Sequence, residues 1–463
     1  MFDFYKMSAP SASKVAPENT EKVWKRARFQ TFVAITLGYA LYYVCRMSMG
    51  VMKQPIIDAG LLNATQLGII GACLYWTYAV GKLVNGFLAD SSNIKRFMAT
   101  GLILSVTANF LMGVLGVAAV NAGISSSVIF VVFAIMWAMN GWAQSMGVPP
   151  SVVALSRWFP LKIRGTFYGF FSASHNIGEG LSFVFVGSIV AAFGWKWGFF
   201  GAACAGILGV LLIVLWLYDT PESKGLPSIE ELSGEAVPAK KVEGPEETRK
   251  IQRAVLLRNP GVWILALSSA FMYMSRYAIN EWGTIFLQET YDYDLTSAAT
   301  IIGINPIFGV LGTVLSGWLS DKVFRGDRKY PAFVAGILEA IALFLFLFGG
   351  GSHFVLILSM ILFGIAIGVL ISFLGGLMAI DLVPRKASGA ALGIVGVASY
   401  AAAGLQNIVS GLLLDNNTFE AVNKLGETVT KHDFTYVSWF WFGAAVISFL
   451  LPILNWRRKQ QEI

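Results

Sequence analysis

Residues 29–50 read FQTFVAITLGYALYYVCRMSMG, an apolar run with one full charge, Arg46, near its end. At 1.5 Å rise per residue, roughly 20 such residues cross the hydrocarbon of a bilayer as a helix. An arginine at that depth is costly, so its presence needs a reason. The second half of the chain repeats the arrangement: Tyr273-Met-Ser-Arg276 closes the same Tyr-x-x-Arg pattern as Tyr43-Val-Cys-Arg46, inside the apolar segment Val262 to Trp282. Arg276 follows Arg46 by 230 residues. Two intramembrane arginines at matching positions of two halves predict a site for an anion on the axis relating them.

The rest of the composition agrees with a membrane protein. Of 463 residues, 56% are hydrophobic and 13% charged, against about 25% charged in soluble domains. Mean hydropathy is +0.64. Twelve spans are predicted at about 29–50, 65–89, 97–119, 126–149, 166–192, 196–217, 261–284, 297–319, 331–350, 354–377, 388–413 and 434–456. The fold class is therefore all-α, with a six-helix bundle over 29–217 and a second over 261–456. A tail of 1–28, a polar linker of 218–260 and a short tail of 457–463 complete the domain reading, with an amphipathic helix expected near 247–257. Of the 34 Lys and Arg, Arg46, Lys82 and Arg276 lie within spans. Only Lys53, Lys196, Lys424 and Lys431 fall in loops on the side opposite the N-terminus. The positive-inside rule then places both termini in the cytoplasm and the chain in the cell (inner) membrane. The net charge of +7 thus reports topology, not nucleic-acid binding. Cys45, Cys73 and Cys204 all lie in apolar segments without metal or redox spacing. No phosphate-binding loop, metal cluster or nucleophile–base set is visible, so neither an enzyme, an ATP-driven pump nor a bound cofactor is expected.

A second landmark recurs. Gly81-Lys-Leu-Val-Asn-Gly86-Phe-Leu-Ala-Asp90-Ser-Ser-Asn-Ile-Lys95-Arg96 matches Gly312-Thr-Val-Leu-Ser-Gly317-Trp-Leu-Ser-Asp321, which runs on to Arg325 and Arg328. Asp90 and Asp321 lie 231 apart, and each falls 44 or 45 residues beyond its half's arginine. The matching offsets point to an internal duplication. An Asp beside Lys and Arg at a helix end can form ion pairs, so Asp90, Lys95, Arg96, Asp321, Arg325 and Arg328 are expected to latch one conformation.

Arg46 and Arg276 each either snorkel, cap a helix end or bridge helices, or bind an anion, which the symmetric interior pair favours; guanidinium forks match phosphate oxygens bidentately and suit a dianionic phosphate better than two lysines would. Lys82 in span two either snorkels or serves the site. His175 in span five is a packing residue or a ligand, with Asn176 beside it. Glu179, one turn beyond His175, could pair with His175 or Lys82 or face a sugar hydroxyl. Tyr39, Tyr42 and Tyr43 share the helix of Arg46, and Tyr39 and Tyr42 its face; with Tyr273 they are the aromatic candidates for the lining. Glu281 reads as an interfacial residue, and His353 and His432 as solvated loop residues.

The duplicated G-x-x-x-[ND/S]-G-x-x-[AS]-D motif, the twelve spans and the central linker resemble the major facilitator superfamily. Within it the chain resembles the organophosphate:phosphate antiporters, through Tyr43-x-x-Arg46, Gly81-Lys82, Ser174-His175-Asn176-Ile-Gly178, Asp219-Thr-Pro-Glu-Ser, Arg276-Tyr277 and Ser320-Asp321-Lys322-Val-Phe-Arg325-Gly. The resemblance implies that both arginines bind phosphate, that His175 lies in the substrate site, and that an organic phosphate is exchanged for inorganic phosphate by a monomer. Glu179 and Val395 depart from the carriers, where a small residue and, in some, a basic residue stand. Closing a site of unpaired cations without phosphate would desolvate them, so exchange is expected to be obligatory. The same family includes a hexose-phosphate sensor working through a partner kinase, and Gln406-Asn407-x-x-Ser-Gly411 is similar to that branch. A proton-coupled exporter would instead use intramembrane Asp or Glu.

Overall fold

The computed structural model describes residues 3–234, 259–324, 327–383, 387–422 and 428–456. Among these, twelve helices are long and apolar enough to cross a membrane. They are α1 (Pro17–Asp58), α2 (Ala64–Asp90), α3 (Ile94–Ala119), α4 (Ser126–Trp158), α5 (Leu161–Phe193) and α6 (Trp195–Trp216), then α7 (Pro260–Tyr291), α8 (Leu295–Trp318), α9 (Lys329–Phe348), α10 (His353–Asp381), α11 (Ser388–Asp415) and α12 (Thr435–Asn455). Odd-numbered helices leave the N-terminal side of the molecule and even-numbered ones return to it. The opposite face is called the far side below. The amphipathic helix expected near 247–257 lies outside the described residues.

Local chemistry sets the helix starts. Pro17 opens α1, where its missing N–H costs nothing. Asn63 and Gln66 form a reciprocal capping box on α2, and Asp294 caps α8 through Ser297 N. The apolar run of α1 does not end at Gly50, because helix continues through Lys53 and Pro55 to Asp58. The sequence reading stopped the span too early and left Lys53 in a loop; the structure puts it in the helix. Span four breaks at 145–147, ahead of the prolines of Val148–Trp158.

Two large hydrophobic cores result among the described residues. One gathers α1–α6 and takes in Tyr277, Tyr400 and Ala403; the other gathers α7–α12 and takes in Val51 and Ala64. Those exchanged residues mark where the bundles meet. Large side chains such as Phe87, Leu208, Val314 and Phe354 point outward, as expected of surfaces facing lipid. With lipid as apolar as the core, helix contact in the membrane relies on close packing. Between the bundles it is tight at Gly68 of α2: a Cβ there would stand 2.3 Å from the Asn407 carbonyl oxygen of α11.

The far side carries an antiparallel hairpin, β1 (Thr418–Val422) and β2 (Thr428–His432), which the sequence reading treated as loop. There Asp415 at the end of α11 accepts from the Ala64 and Thr65 amides at the start of α2, tying one bundle to the other. His432 was expected in solvent and is mostly buried. Its ring reaches Glu289 at 2.9 Å and Asp415 at 3.7 Å, because the hairpin folds back over both helix ends.

The expected N-terminal-side latch takes other partners. The Asp90 side chain is exposed, and its main-chain carbonyl accepts from Arg157. Arg157 pairs instead with buried Asp219, which also accepts from the Ser8 and Ile94 amides. Arg96 donates to the Phe4 carbonyl and faces its ring, and Lys95 lies beside it at the start of α3. Arg328 pairs with Asp381 within the second bundle. Asp321's side chain and Arg325 lie outside the described residues. Helix rotation decides these pairings, and here the described ones hold each bundle together rather than join the two.

Candidate functional site

The two arginines come together where α1 faces α7. Arg46 is 1% exposed and Arg276 is 3%. The Arg46 guanidinium carbon lies 4.3 Å from the ring centre of Tyr78, 5.2 Å from Tyr400, 5.3 Å from Tyr43 and 5.5 Å from Tyr75. One of its nitrogens, Nη2, donates to the Tyr277 hydroxyl at 3.3 Å. Its Nε and Nη1 are buried and have no hydrogen-bond partner. Arginine presents five N–H donors in a planar fork, and buried donors are nearly always satisfied. Cation–π contacts return about 0.5–2 kcal/mol each and donate no hydrogen bond. The Nε–Nη1 edge of Arg46 is thus the part of this buried centre that the protein leaves without an acceptor.

Arg276 is differently placed. Its Nη2 reaches Glu179 Oε2 at 2.7 Å, and the other oxygen of Glu179 accepts from Asn280 Nδ2 at 2.6 Å. Asn280 is held in turn by Asn305 Nδ2 at 3.1 Å. Tyr277 links the two arginines, bonding Arg46 through its hydroxyl while its ring centre lies 5.3 Å from the Arg276 guanidinium. Tyr273 flanks Arg276 at 5.9 Å. The sequence reading assumed few acids here and paired Glu179 with His175 or Lys82, or with a sugar hydroxyl. Instead α5 turns it toward α7, so the protein itself compensates one of the two cations.

His175 is half-buried with its ring 5.8 Å from that of Tyr43, and Asn176 Nδ2 is buried without a partner against Gly309 of α8. Lys82 is exposed, its ammonium 5.6 Å from the ring centre of Tyr400. Tyr43 lines the site. Tyr39 lies one layer away, against Tyr42, Tyr43 and Phe171. Tyr42 does not line it: its hydroxyl donates to the Met98 carbonyl of α3, because the α1 face that carries it packs into the first bundle. Val395 is buried in the second core.

Several residues here were not read as part of the site in the sequence. Tyr75, Tyr78, Tyr277 and Tyr400 build most of the aromatic wall, yet tyrosines in spans are ordinary. On the far side of the arginines, Lys53 meets Glu281 at 2.8 Å, both almost wholly buried. Lys53 also donates to Asn407 Oδ1 at 3.1 Å and lies 3.9 Å from the Trp282 ring centre. The other oxygen of Glu281 accepts from the Tyr75 hydroxyl at 2.5 Å. Glu281 is thus a cross-bundle partner rather than an interfacial residue. Thr284 adds a bond to the Gly50 carbonyl at 2.9 Å. A further buried acid, Glu339 of α9, accepts from Ser275 and Ser448 inside the second bundle.

Two helical bundles about a buried cationic centre are the architecture of a membrane transporter. The chain belongs to the Major Facilitator Superfamily, whose family model matches residues 35–407. It is 35% identical over 407 residues to a "Probable hexose phosphate transport protein" of Chlamydia trachomatis serovar D, covering 83% of this chain and 84% of the relative. It is 32% identical over 415 residues to the "Glycerol-3-phosphate transporter" of Bacillus subtilis, covering 88% and 90%. Against the "Membrane sensor protein UhpC" of Escherichia coli it is 31% identical over 412 residues, covering 86% and 90%. Among solved structures, a D-xylose-proton symporter superposes with TM-score 0.66 over 93% of this chain and 97% of the other at 16% identity, a likeness of fold.

Proposed function

We propose that this protein takes up an organic phosphate, above all a hexose phosphate such as glucose 6-phosphate, in exchange for inorganic phosphate. The observation that carries this reading is the unpartnered Nε–Nη1 edge of buried Arg46, with Arg276 reached through the shared Tyr277. A phosphoryl group is the anion whose oxygens match that planar edge, and its two charges suit two guanidiniums. Relatives named for hexose phosphate and glycerol 3-phosphate transport support the same substrate class.

Movement follows the rocker-switch of two bundles, 29–217 and 261–456, about the central site, in the cell membrane with both termini in the cytoplasm. The far side would then be the external face, closed by Lys53–Glu281 and by Asp415 on the start of α2. Lys82 and His175 attract the phosphate from the cytoplasmic side, and Asn176 offers a further donor. No bond is made or broken in the substrate, no cofactor takes part, and a monomer suffices.

Purified protein in liposomes tests this. Inorganic phosphate and glucose 6-phosphate should each displace the other, and free glucose should displace neither. Glucose competing as well as glucose 6-phosphate overturns the reading. A relative named as a membrane sensor gives the second reading, a receptor for external hexose phosphate that signals through a partner kinase. Saturable binding of glucose 6-phosphate without any flux would select it.

A further inference from the structure

Glu179 is on α5 in the first bundle, and both groups it grips, Arg276 and Asn280, are on α7 in the second. All three are buried, and each carboxylate oxygen has its own donor. No other acid is bonded to Arg276 among the described residues, and Glu281, the nearest one along α7, is taken by Lys53 and Tyr75. A carboxylate on a guanidinium is the same charge-assisted pairing that a phosphate makes. Glu179 and a phosphate therefore compete for one fork.

We propose that Glu179 is a built-in counter-anion for Arg276, which lets the bundles close over the site without phosphate, so that the carrier performs net transport of phosphate and organic phosphate as well as exchange. The inference rests on the reading of the site as a phosphate carrier. The physical step is the cost of closing. Two unpaired cations leaving water would each lose their solvation, and that cost is what would make exchange obligatory. With Arg276 paired to Glu179, one cation is already compensated inside the protein. Arg46 keeps the faces of four tyrosines and the Tyr277 hydroxyl about it. Closure without substrate then costs one cation's solvation instead of two. When a phosphate arrives, it takes the Arg46 edge first and then displaces Glu179 from Arg276. Asn280, steadied by Asn305, keeps hold of the displaced carboxylate.

The test uses the full chain in liposomes loaded with labelled inorganic phosphate, with potassium and valinomycin to carry compensating charge. Two rates are read: efflux into phosphate-free buffer, and exchange against external phosphate. Wild-type protein should show net efflux above that of protein-free vesicles. In Glu179→Gln the ratio of net efflux to exchange should fall about tenfold, and inorganic phosphate should bind about tenfold tighter, the worth of one charge-assisted contact. In Glu179→Ala, acetate in the buffer should restore the ratio, an effect that a merely structural role for the side chain would not produce. Wild-type exchange with net efflux at background overturns the inference and leaves the phosphate-carrier reading intact. So does a Glu179→Gln protein in which both rates fall together with affinity unchanged. Wild-type protein that neither binds nor exchanges phosphate would overturn the carrier reading itself.

Discussion

Replacing Lys53 by Met should open the far side. In the structure Lys53 is 0% exposed and Glu281 3%, and their pairing joins α1 to α7. Removing one partner of a buried ion pair costs about 3–5 kcal/mol, because the remaining charge loses its compensation. Here Glu281 would keep only the Tyr75 hydroxyl. Once the far side opens, water reaches Glu281 and most of that cost disappears, so the substitution acts on the closed arrangement alone. At about 1.4 kcal/mol per decade, the equilibrium moves toward far-side opening by roughly 10²–10³. Ala299→Cys can report it in a protein lacking Cys45, Cys73 and Cys204. Ala299 is 1% exposed, and its methyl lies 2.9 Å from where a Cβ on Gly187 of α5 would stand. A membrane-impermeant maleimide added on the far side should label it far faster in Lys53→Met. Adding Glu281→Gln, which removes the stranded charge, should slow labelling again and so measure the coupling. Labelling of Lys53→Met at the native rate would refute the argument that this pair holds the far side shut.

Arg46→Lys or Arg276→Lys should weaken inorganic phosphate binding by about tenfold or more, since a point charge replaces a planar fork; calorimetric titration checks it. His432 should make stability depend on pH. Burial opposes its charge, but hydrogen bonds and charge from Asp415 and Glu289 prevail and raise it from 6.5 to about 9. Its stabilisation is full below the unfolded value near 6.5 and is lost as pH rises through about 9. Melting temperatures of wild type should fall across that window, and those of His432→Gln should fall less. Gly68→Val would press its side chain onto the Asn407 carbonyl, so the far side should stay open and the Ala299→Cys reporter should label rapidly even with Lys53 present.

The twelve spans, the two halves and the arginine pair were all legible in the linear sequence, because each depends on what a short stretch contains. A charge inside an apolar run is conspicuous wherever the chain later goes, and the matching offsets of Arg46 with Arg276 and Asp90 with Asp321 reveal the duplication without coordinates. The boundaries were less legible. The apolar run stops near Gly50, but helix persists to Asp58 because the second bundle packs on its last turns, and that carried Lys53 from a loop into the core. Partners were not legible at all. Glu179 finds Arg276 97 residues away, and Arg46 finds Tyr277 231 away. Such pairings depend on the rotation of each helix about its axis and on its depth against a neighbour. The same rotation turned Tyr42 into the first bundle and gave Arg157 to Asp219 rather than to Asp90, while the fold of the hairpin brought His432 onto Glu289. The sequence alone determined that cations stand in the membrane; the tertiary structure decided which of them the protein already compensates, because a buried charge is satisfied by geometry and not by composition.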